Sequence, residues 1–288
     1  MSERIVYDSM GISGRLQVVD RGNRRTMFLG SLPQTTVDLS DPDRHVGNYI
    51  PYLHAGSLFN PDPNRTLFLG LGGGAGVRSF HKAYPAARID AVDIDPNVVE
   101  VARDYFFVPG DDRVSLVVED GRRYLALHPG AFDHVVLDAY NQDGYPSRMY
   151  TRECFELIRR SLRNRSVDRR ERPGVVVVNA VGWVRGNKSE TVRIILRTMS
   201  EVFPSVHLFE VALPLWRRLL GDGNNYVVVG TTEKRVATPR SLKHRALRNP
   251  ATERHAWIAK RAKKLPDLSD TDLLSDDKVE RGQLILTV

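Results

Sequence analysis

The glycine-rich stretch at residues 66–77 constrains the fold of this chain more than any other segment. A short apolar run leads into Gly-Leu-Gly-Gly-Gly-Ala-Gly at residues 70–76, and a helical pattern follows at 77–84. Glycine lacks a Cβ atom, so the main chain can turn sharply and a ligand can approach it closely. The N–H groups at a helix start favour polar or anionic ligand atoms. Because glycine also marks ordinary turns, the segments that follow decide between a ligand-binding turn and a simple corner.

Strands and helices alternate along the rest of the chain. The predicted strands are residues 66–69, 87–92, 114–118, 132–137, 174–179, 206–211 and 225–230, and the predicted helices are 77–84, 96–105, 121–125, 151–162 and 189–202. This alternation predicts a parallel sheet with helices on both faces. The last two predicted strands are adjacent in sequence, which indicates an antiparallel edge.

The first 60 residues have a different, β-rich pattern. Two short strands at 14–20 and 25–30 flank a turn and form a predicted hairpin, and residues 34–39 are a candidate third strand. A mildly amphipathic helix is predicted at 45–59. The proline-rich connection at 60–64 is the best candidate boundary. We therefore expect a small N-terminal β-hairpin domain, residues 1–60, and a second domain of alternating strands and helices, residues 61–288.

The net charge of +7 and the pI near 9.6 raise the question of a nucleic-acid partner. The positive charge concentrates at residues 163–172 and 234–264. Charge runs of this kind are usually solvated surfaces, so a nucleic-acid partner is not expected. No apolar run is long enough to cross a bilayer, and no membrane association is predicted.

One cysteine, Cys154, excludes an intramolecular disulfide and a cysteine-based metal cluster. It lies in a helical pattern and is expected to pack as a small apolar side chain. The histidines have no metal-ligand spacing, so no metal site is predicted. A cytoplasmic location is the simplest inference.

Carboxylates follow the predicted strands at the edge where ligands bind in doubly wound sheets. Asp93 comes a little over twenty residues after Gly70, where a carboxylate can accept both hydroxyls of a ribose. Asp95 precedes Pro96 and matches a helix N-cap with proline at the first helical position. Asp93 is therefore predicted to be functional and Asp95 structural.

Two further acids follow the third and fourth predicted strands. Asp120, in Glu-Asp-Gly, could accept a hydrogen bond from an adenine amino group or could cap the next helix, and both interpretations stay open. Asp138 follows a buried strand and has no basic neighbour in sequence. A carboxylate at that position could orient or deprotonate an attacking amine.

Together these motifs resemble those of a known family. The glycine turn at 70–74, the acids in 92–96 and 119–121, and the Leu-Asp pair at 137–138 resemble the nucleoside-binding motifs of S-adenosylmethionine-type folds. Within that superfold the chain is similar to spermidine synthases, the polyamine aminopropyltransferases. The N-terminal hairpin, the loop after Asp138, and the tail Leu-Leu-Ser-Asp-Asp at 273–277 with Glu280 and Leu284 also resemble that family, whose tail signature is Leu-Thr-Asp-Asp.

The resemblance implies a Rossmann-like, S-adenosylmethionine-type doubly wound α/β sheet with a small N-terminal β-domain, and it makes residues 61–288 the nucleoside-binding catalytic domain. It implies transfer of an aminopropyl group from decarboxylated S-adenosylmethionine to a small amine, with release of methylthioadenosine and without a metal. It also implies a homodimer.

The resemblance also assigns roles to individual residues. Asp138 and Tyr49 are the candidate catalytic residues. The candidate cofactor-binding residues are Gln34, Gly70, Gly72, Gly74, Asp93, Ile94, Asp120, Gly121 and Asp138. The candidate substrate-binding residues are Tyr140, Asn141 and Asp143.

The chain departs from the family pattern in its amine-binding half. Gly73 stands where the family has an acid that holds the amino end of the aminopropyl group, and Asn141 stands where its catalytic loop has a second acid. The Tyr-His-Glu motif is missing, and only Tyr49 or Tyr52 could supply its tyrosine. The leading Tyr-Gln is replaced near Ser13. A dication such as putrescine would therefore be attracted less strongly, and another acceptor could contact the loop aromatics.

Two alternatives accompany the aminopropyltransferase hypothesis. An S-adenosylmethionine-dependent methyltransferase could use the same fold, and glycine at position 73 removes a contact suited to the decarboxylated cofactor. A non-enzymatic relative could bind a nucleoside or a nucleic acid through the basic segments. Fold alone does not separate these functions.

Overall fold

The structure is a computed structural model with side chains. It describes residues 3–44, 46, 49–142, 144–167, 170–184, 190–212, 224–234, 237–248, 250–282 and 286. The described chain forms a four-stranded antiparallel sheet, a mixed eight-stranded sheet and a small two-stranded ribbon.

The N-terminal sheet is an antiparallel meander. Its strands are β1 Glu3–Gly11, β2 Gly14–Arg21, β3 Arg24–Leu29 and β4 Leu32–Asp38, in that order. The predicted hairpin is confirmed as β2 and β3, which pair Leu16 with Leu29. Strand β1 was missed, because most of its residues are exposed or half-buried and show no apolar alternation.

The main sheet contains eight strands in the order β14-β12-β13-β11-β8-β5-β6-β7. The remaining strands along the chain are β5 Arg65–Leu69, β6 Arg88–Asp93, β7 Val114–Val118, β8 His134–Leu137, β9 Arg165–Val167, β10 Arg170–Arg172, β11 Val175–Gly182, β12 Ser205–Glu210, β13 Asn224–Thr231 and β14 Ala262–Lys263. Strands β5, β6, β7, β8 and β11 pair in parallel, whereas β13, β12 and β14 form an antiparallel edge. The predicted fold class is confirmed. Strands β9 and β10 form the two-stranded ribbon.

Helices connect the strands and cover the main sheet. The α-helices are α1 Ala75–Ala83, α2 Pro96–Tyr105, α3 Gly121–Leu127, α4 Arg152–Ser161, α5 Glu190–Val202, α6 Pro239–Leu247, α7 Pro250–Glu253 and α8 Asp276–Glu280. The 3₁₀ helices are Ile50–Leu58, Ser147–Tyr150 and Ala256–Arg261. Within the described ranges, none of these helices combines the length and the apolar character needed to span a bilayer.

The helix predicted at 45–59 is wrong in type and in extent. The structure has a 3₁₀ helix at Ile50–Leu58, with Tyr49 as its N-cap and a proline in its first turn. Nearly all of its residues are buried, which suits an element without a polar face. Its residues pack with α1 and the main sheet in one core cluster. The division of the chain at residues 60–64 stays a prediction.

The main sheet is buried on both faces. Successive residues of β5 point to opposite sides: Phe68 belongs to one apolar cluster, and Leu67 and Leu69 belong to the other. The first four valines of β11, residues 175–178, divide in the same way, and all four are fully buried. Such double burial explains the continuous apolar runs of these strands.

Asp95 fastens the N-terminal sheet to the main sheet. Its carboxylate accepts hydrogen bonds from the Asn97 N–H at 3.0 Å, as the predicted N-cap of α2, and from the Ser13 N–H at 2.9 Å. A Cβ atom on Gly11 would lie 2.3 Å from Asp95 Oδ2, so the β1–β2 turn packs directly on this cap. Asp95 is fully buried.

We expect Asp95→Ala to lower the free energy of unfolding by about 2 kcal/mol, because it removes a helix cap and the acceptor of the Ser13 N–H. Asp104→Ala is the matched control, since Asp104 is exposed and pairs only with its neighbour Arg103. Urea unfolding of both variants measures the difference. Equal effects of the two substitutions would contradict the assigned role.

Candidate active site

A cavity of about 550 Å³ lies where the carboxyl ends of β5, β6, β7 and β8 meet the N-terminal sheet. It is lined by most of the predicted site residues, namely Gln34, Tyr49, Gly70, Gly72, Asp93, Ile94, Asp120, Gly121, Asp138, Tyr140 and Asn141. Asp143 lies outside the described residues. The cavity therefore collects, from six separate segments, side chains that the sequence separates by up to about a hundred residues.

Gly74 is not brought to the cavity. It is the N-cap of α1 with φ of 66°, and it is buried. A Cβ atom there would lie 2.2 Å from Val108 Cγ2. The turn has already passed into the helix at this position, where the glycine packs against Val108. The cofactor-binding role of Gly74 stays a prediction.

Gly70 allows two strands to end side by side. Its φ is 90°, and its N–H donates to the Val92 carbonyl at 2.9 Å. A Cβ atom at this position would lie 2.4 Å from the Asp138 carbonyl oxygen and 2.8 Å from Ala139 Cα. Both the positive φ and the contact with the β8 main chain exclude any larger residue.

Gly73 is packed for a different reason. Its N–H donates to Thr35 Oγ1 at 3.0 Å. A Cβ atom would lie 2.7 Å from Thr35 Cγ2 and 2.9 Å from Phe106 Cδ1. Buried Arg78 donates to the carbonyl oxygens of Gly73 and Phe106 and holds the turn from beneath. Thr35 of β4 therefore fills the space that a side chain at position 73 would need.

Asp93 faces the glycine turn from the end of β6. Its Oδ2 accepts the Leu71 N–H at 3.0 Å, and its Oδ1 accepts the Asp95 N–H at 3.1 Å. Burial raises the pKa of Asp93 to about 6, and these main-chain hydrogen bonds oppose the shift. The neighbouring side chain, Ile94, is exposed and lines the cavity.

Asp120 caps α3 at the end of β7. Its Oδ1 accepts the Arg123 N–H at 2.9 Å, so the structural alternative is realised. The side chain is exposed and also lines the cavity, which keeps a ligand contact available to the same carboxylate. Gly121 follows it beneath Met149, whose Cε lies 3.0 Å from the position of a Cβ atom.

Two side chains hold the carboxylate of Asp138 in the cavity. Its Oδ2 accepts a hydrogen bond from the Tyr49 hydroxyl at 3.0 Å, and its Oδ1 accepts one from Asn179 Nδ2 at 2.9 Å. Asn225 Nδ2 in turn donates to Asn179 Oδ1 at 3.0 Å. Burial raises the pKa of Asp138, and the hydrogen bonds from Asn179 and Tyr49 oppose the shift.

Asn179 and Asn225, which support Asp138, are functional candidates that were not predicted from the sequence. Asn179 directly follows the four buried valines of β11, and Asn225 lies opposite β11 on β13. The available signal was an amide directly after a run of buried valines, because a buried polar group needs hydrogen-bond partners.

The loop after Asp138 is fixed by tyrosines. Tyr140 donates to the Asn179 carbonyl at 3.1 Å, Tyr145 to the Val181 carbonyl at 3.1 Å, and Tyr150 to the Ala139 carbonyl at 3.0 Å. The Tyr140 hydroxyl is therefore engaged with the main chain, and Tyr140 also lines the cavity.

Gln142 and Asn141 place the same loop against the N-terminal sheet and the cavity. A Cβ atom on Gly14 would lie 2.3 Å from Gln142 Oε1, and one on Gly30 would lie 3.5 Å from Gln142 Cβ. Asn141 pairs with Gly144 through main-chain hydrogen bonds of 2.9 and 3.2 Å.

The C-terminal segment supports the side of the cavity that Arg122 lines. Arg122, a lining residue, donates to both carboxylate oxygens of Asp276 at 2.6 Å, and Thr151 Oγ1 donates to Oδ1 at 2.7 Å. The Arg122 hydrogen bonds lower the pKa of Asp276. Leu274 is fully buried beside this contact. Leu284 lies outside the described residues.

Neither a cysteine nucleophile nor a metal cluster is found in the described part of the chain. Cys154 is fully buried, and burial raises the pKa of its thiol to about 12, so it packs as predicted. No three histidine, cysteine, aspartate or glutamate side chains there are grouped as metal ligands.

Comparison with known proteins gives the family. Residues 52–232 match the spermine/spermidine synthase domain, and the chain belongs to this family. A polyamine aminopropyltransferase from Chromobacterium violaceum is 33% identical over 175 residues, which are 60% of this chain and 63% of that protein. The chain thus spans less than two thirds of that relative's length.

Solved structures share the fold. A probable spermidine synthase from Corynebacterium glutamicum superposes with a TM-score of 0.65 at 18% identity, covering 94% of this chain and 99% of that one. A spermidine synthase in complex with the transition-state analogue AdoDATO superposes with a TM-score of 0.64 at 18% identity, covering 81% of this chain and 75% of that one.

We expect Gly73→Ala to lower the free energy of unfolding by about 1–3 kcal/mol, because the new methyl group overpacks Thr35 and Phe106. Gly110→Ala is the matched control, since a Cβ atom there meets nothing within 4 Å. Urea unfolding compares the two variants. A Gly73→Ala protein as stable as the control would show that the turn has room for a side chain.

Proposed function

We propose that this chain transfers an aminopropyl group from decarboxylated S-adenosylmethionine to an amine and releases methylthioadenosine. The observation that carries the proposal is the carboxylate of Asp138, held by Tyr49 and Asn179 beside a glycine turn and in one cavity with Asp93. Family membership supports it, since the relative compared above is named a polyamine aminopropyltransferase.

The order of strands supports a nucleoside lying along the sheet edge. Asp138 follows β8, the glycine turn follows β5, Asp93 ends β6 and Asp120 comes shortly after β7. These four strands are neighbours in that order. Because neighbouring strands are about 4.8 Å apart, Asp138 and Asp93 are separated by roughly 10 Å at this edge. We assign ribose binding to Asp93, adenine binding to Asp120 and close main-chain contact to Gly70 and Gly72.

The reaction requires an unprotonated amine. An alkylamine has a pKa of about 10, so it reaches the enzyme as an ammonium ion. Asp138 holds this ion and takes one proton, and its raised pKa makes it a stronger base than an ordinary aspartate. The nitrogen then attacks the aminopropyl carbon next to the sulfonium. The C–N bond forms as the C–S bond breaks, and its electron pair leaves with sulfur in methylthioadenosine.

Tyr49 and Asn179 orient the base. Burial and the neighbouring Asp138 raise the pKa of Tyr49, so its hydroxyl keeps its proton and donates. Each donor occupies one lone pair on one carboxylate oxygen. The orientation of the carboxylate plane is thereby fixed, and a second lone pair on each oxygen stays available to the amine. The homodimer and the cytoplasmic location stay predictions.

One experiment separates the candidate functions. The protein is incubated with decarboxylated S-adenosylmethionine and a panel of amines, and methylthioadenosine is quantified by chromatography. Amine-dependent release supports the proposal. Tight binding of S-adenosylhomocysteine without release would support a methyltransferase instead. Salt-sensitive nucleic-acid binding with neither ligand bound would support the non-enzymatic alternative.

Asp138→Asn should lower the turnover number by about 10²–10⁴-fold, because the isosteric amide cannot accept the proton. The affinity for methylthioadenosine, measured by calorimetry, should stay within a few-fold. Asp104→Asn is the control for an exposed carboxylate and should leave both quantities unchanged. Turnover that survives in Asp138→Asn removes this residue as the base.

Methylthioadenosine affinity should depend on the ionisation of Asp93. With a pKa of about 6, this carboxylate is ionised and accepts ribose hydroxyls above pH 6, and it is protonated below. The affinity should therefore fall by about tenfold between pH 7.5 and pH 5. Calorimetry in an Asp138→Asn background isolates the effect, and adding Asp93→Asn should give a weak, pH-independent affinity. If the affinity of the double variant changes with pH as much as that of Asp138→Asn, the ribose assignment is refuted.

A further inference from the structure

We infer that Asn225 is a positioning residue for the proposed reaction: it fixes which end of the Asn179 amide faces the carboxylate of Asp138. The inference rests on the proposed aminopropyl transfer, in which Asp138 is the base. Asn179 and Asn225 lie behind this base and are not among the described residues that line the cavity. They act on the substrate only through Asp138.

The two asparagines stand in a row of buried apolar side chains. Asn179 comes two positions after Val177 on β11 and lies opposite Val227 on β13, and Asn225 comes two positions before Val227. Every second residue of a strand faces the same side, so all four side chains share one face of the sheet. Both valines are fully buried, and Asn179 is 2% exposed. An amide in such a row costs free energy unless it is hydrogen-bonded.

The chemistry of the carboxylate fixes the direction of each hydrogen bond. An ionised carboxylate only accepts, so the Asn179 Nδ2 group faces Asp138 Oδ1, at 2.9 Å. The Asn179 Oδ1 atom is then free to accept, and Asn225 Nδ2 donates to it at 3.0 Å. Both amides therefore donate toward Asp138, and the second hydrogen bond strengthens the first by polarising the Asn179 amide.

Asn225 restrains this amide most when Asp138 carries a proton. A protonated carboxyl group donates as well as accepts, so an unrestrained Asn179 amide can rotate and accept from it through Oδ1. That rotation would turn the Asn179 NH₂ group toward the NH₂ group of Asn225, and reversal therefore requires both amides to turn together. Asn225 thus keeps Asn179 a donor in both protonation states, which favours the ionised carboxylate that holds the substrate ammonium.

The phenols around Asp138 stay neutral while this carboxylate titrates. Among the described residues, four phenols are affected by the charge of Asp138, and burial raises the pKa of each: Tyr49, Tyr140, Tyr145 and Tyr150. A change in the titration of Asp138 that depends on Asn179 can therefore be assigned to the amide and not to a neighbouring phenol.

Asn225→Leu tests the inference, because leucine has a similar volume and neither donates nor accepts a hydrogen bond. The protein is labelled with aspartate that carries carbon-13 in its side-chain carboxyl group. The pKa of Asp138 is obtained from the pH dependence of its NMR signal, which is identified by its absence from Asp138→Asn. We expect Asn225→Leu to raise this pKa by about 0.5–1 pH unit. Asn225→Val, which matches the neighbouring valines, should give the same result.

The matched control is the same substitution in an Asn179→Leu background. Without an amide between the two positions, Asn225→Leu should change the pKa of Asp138 by less than about 0.2 pH unit. An unchanged pKa in the presence of Asn179 overturns the inference. Equal shifts in the two backgrounds also overturn it, because they show that position 225 acts on Asp138 without the amide.

Aminopropyl transfer gives a second readout. At saturating decarboxylated S-adenosylmethionine, kcat/KM for the amine falls on the acidic side as Asp138 is protonated, and this limb should move to higher pH in Asn225→Leu. The affinity for methylthioadenosine at pH 7.5 should stay within about twofold, because Asn225 acts on the base and not on the nucleoside. An acidic limb at the wild-type pH overturns the inference. Absence of methylthioadenosine release by the wild type with every amine overturns the proposed function, whereas the NMR titration still decides whether Asn225 orients Asn179.

Discussion

The main chain of Gly70 lies against the main chain of Asp138, and the geometry of the site depends on this contact. The Asp138 N–H donates to the Leu69 carbonyl at 3.0 Å, and the Gly70 N–H donates to the Val92 carbonyl at 2.9 Å. Three neighbouring strands are thereby tied together where they end. A side chain at position 70 would push the glycine turn away from Asp138, so one missing Cβ atom sets the distance between the turn and the proposed base.

The fold and the acids of the site were predictable because both depend on local signals. Buried strands are continuous apolar runs, and parallel strands bring the residues after them to one edge. The asparagines that hold Asp138 were not predictable in this way, because Asn179 lies 41 residues from Asp138 and Asn225 a further 46 residues on. The sequence also does not show that the turn passes into helix α1 at Gly74, which packs against Val108. The packing of Thr35 on Gly73 was not predictable either, because it joins strand β4 of the N-terminal sheet to the turn after β5 of the main sheet.

Part of the positive charge that the composition reveals is used inside the molecule. Arg163 pairs at 2.8 Å with Asp133, which is fully buried, and Arg245 pairs at 2.8 Å with Glu233. Lys263 pairs at 2.8 Å with Glu210. The basic residue of each pair lies in one of the two positively charged segments, residues 163–172 and 234–264. Arg163 and Lys263 tie their segments to the main sheet, which is a structural use of charge that needs no external polyanion.

The ion pair between Arg122 and Asp276 joins residues 154 positions apart. Contacts of such long sequence separation form late, because the loop-closure entropy must be overcome first. The side of the cavity that Arg122 lines therefore gains this contact only when the C-terminal segment has docked on α3. Synthesis on the ribosome delivers the glycine turn and Asp93 long before Asp276. A nascent chain that already contains Asp93, Asp120 and Asp138 thus still lacks the partner that holds Arg122 in place.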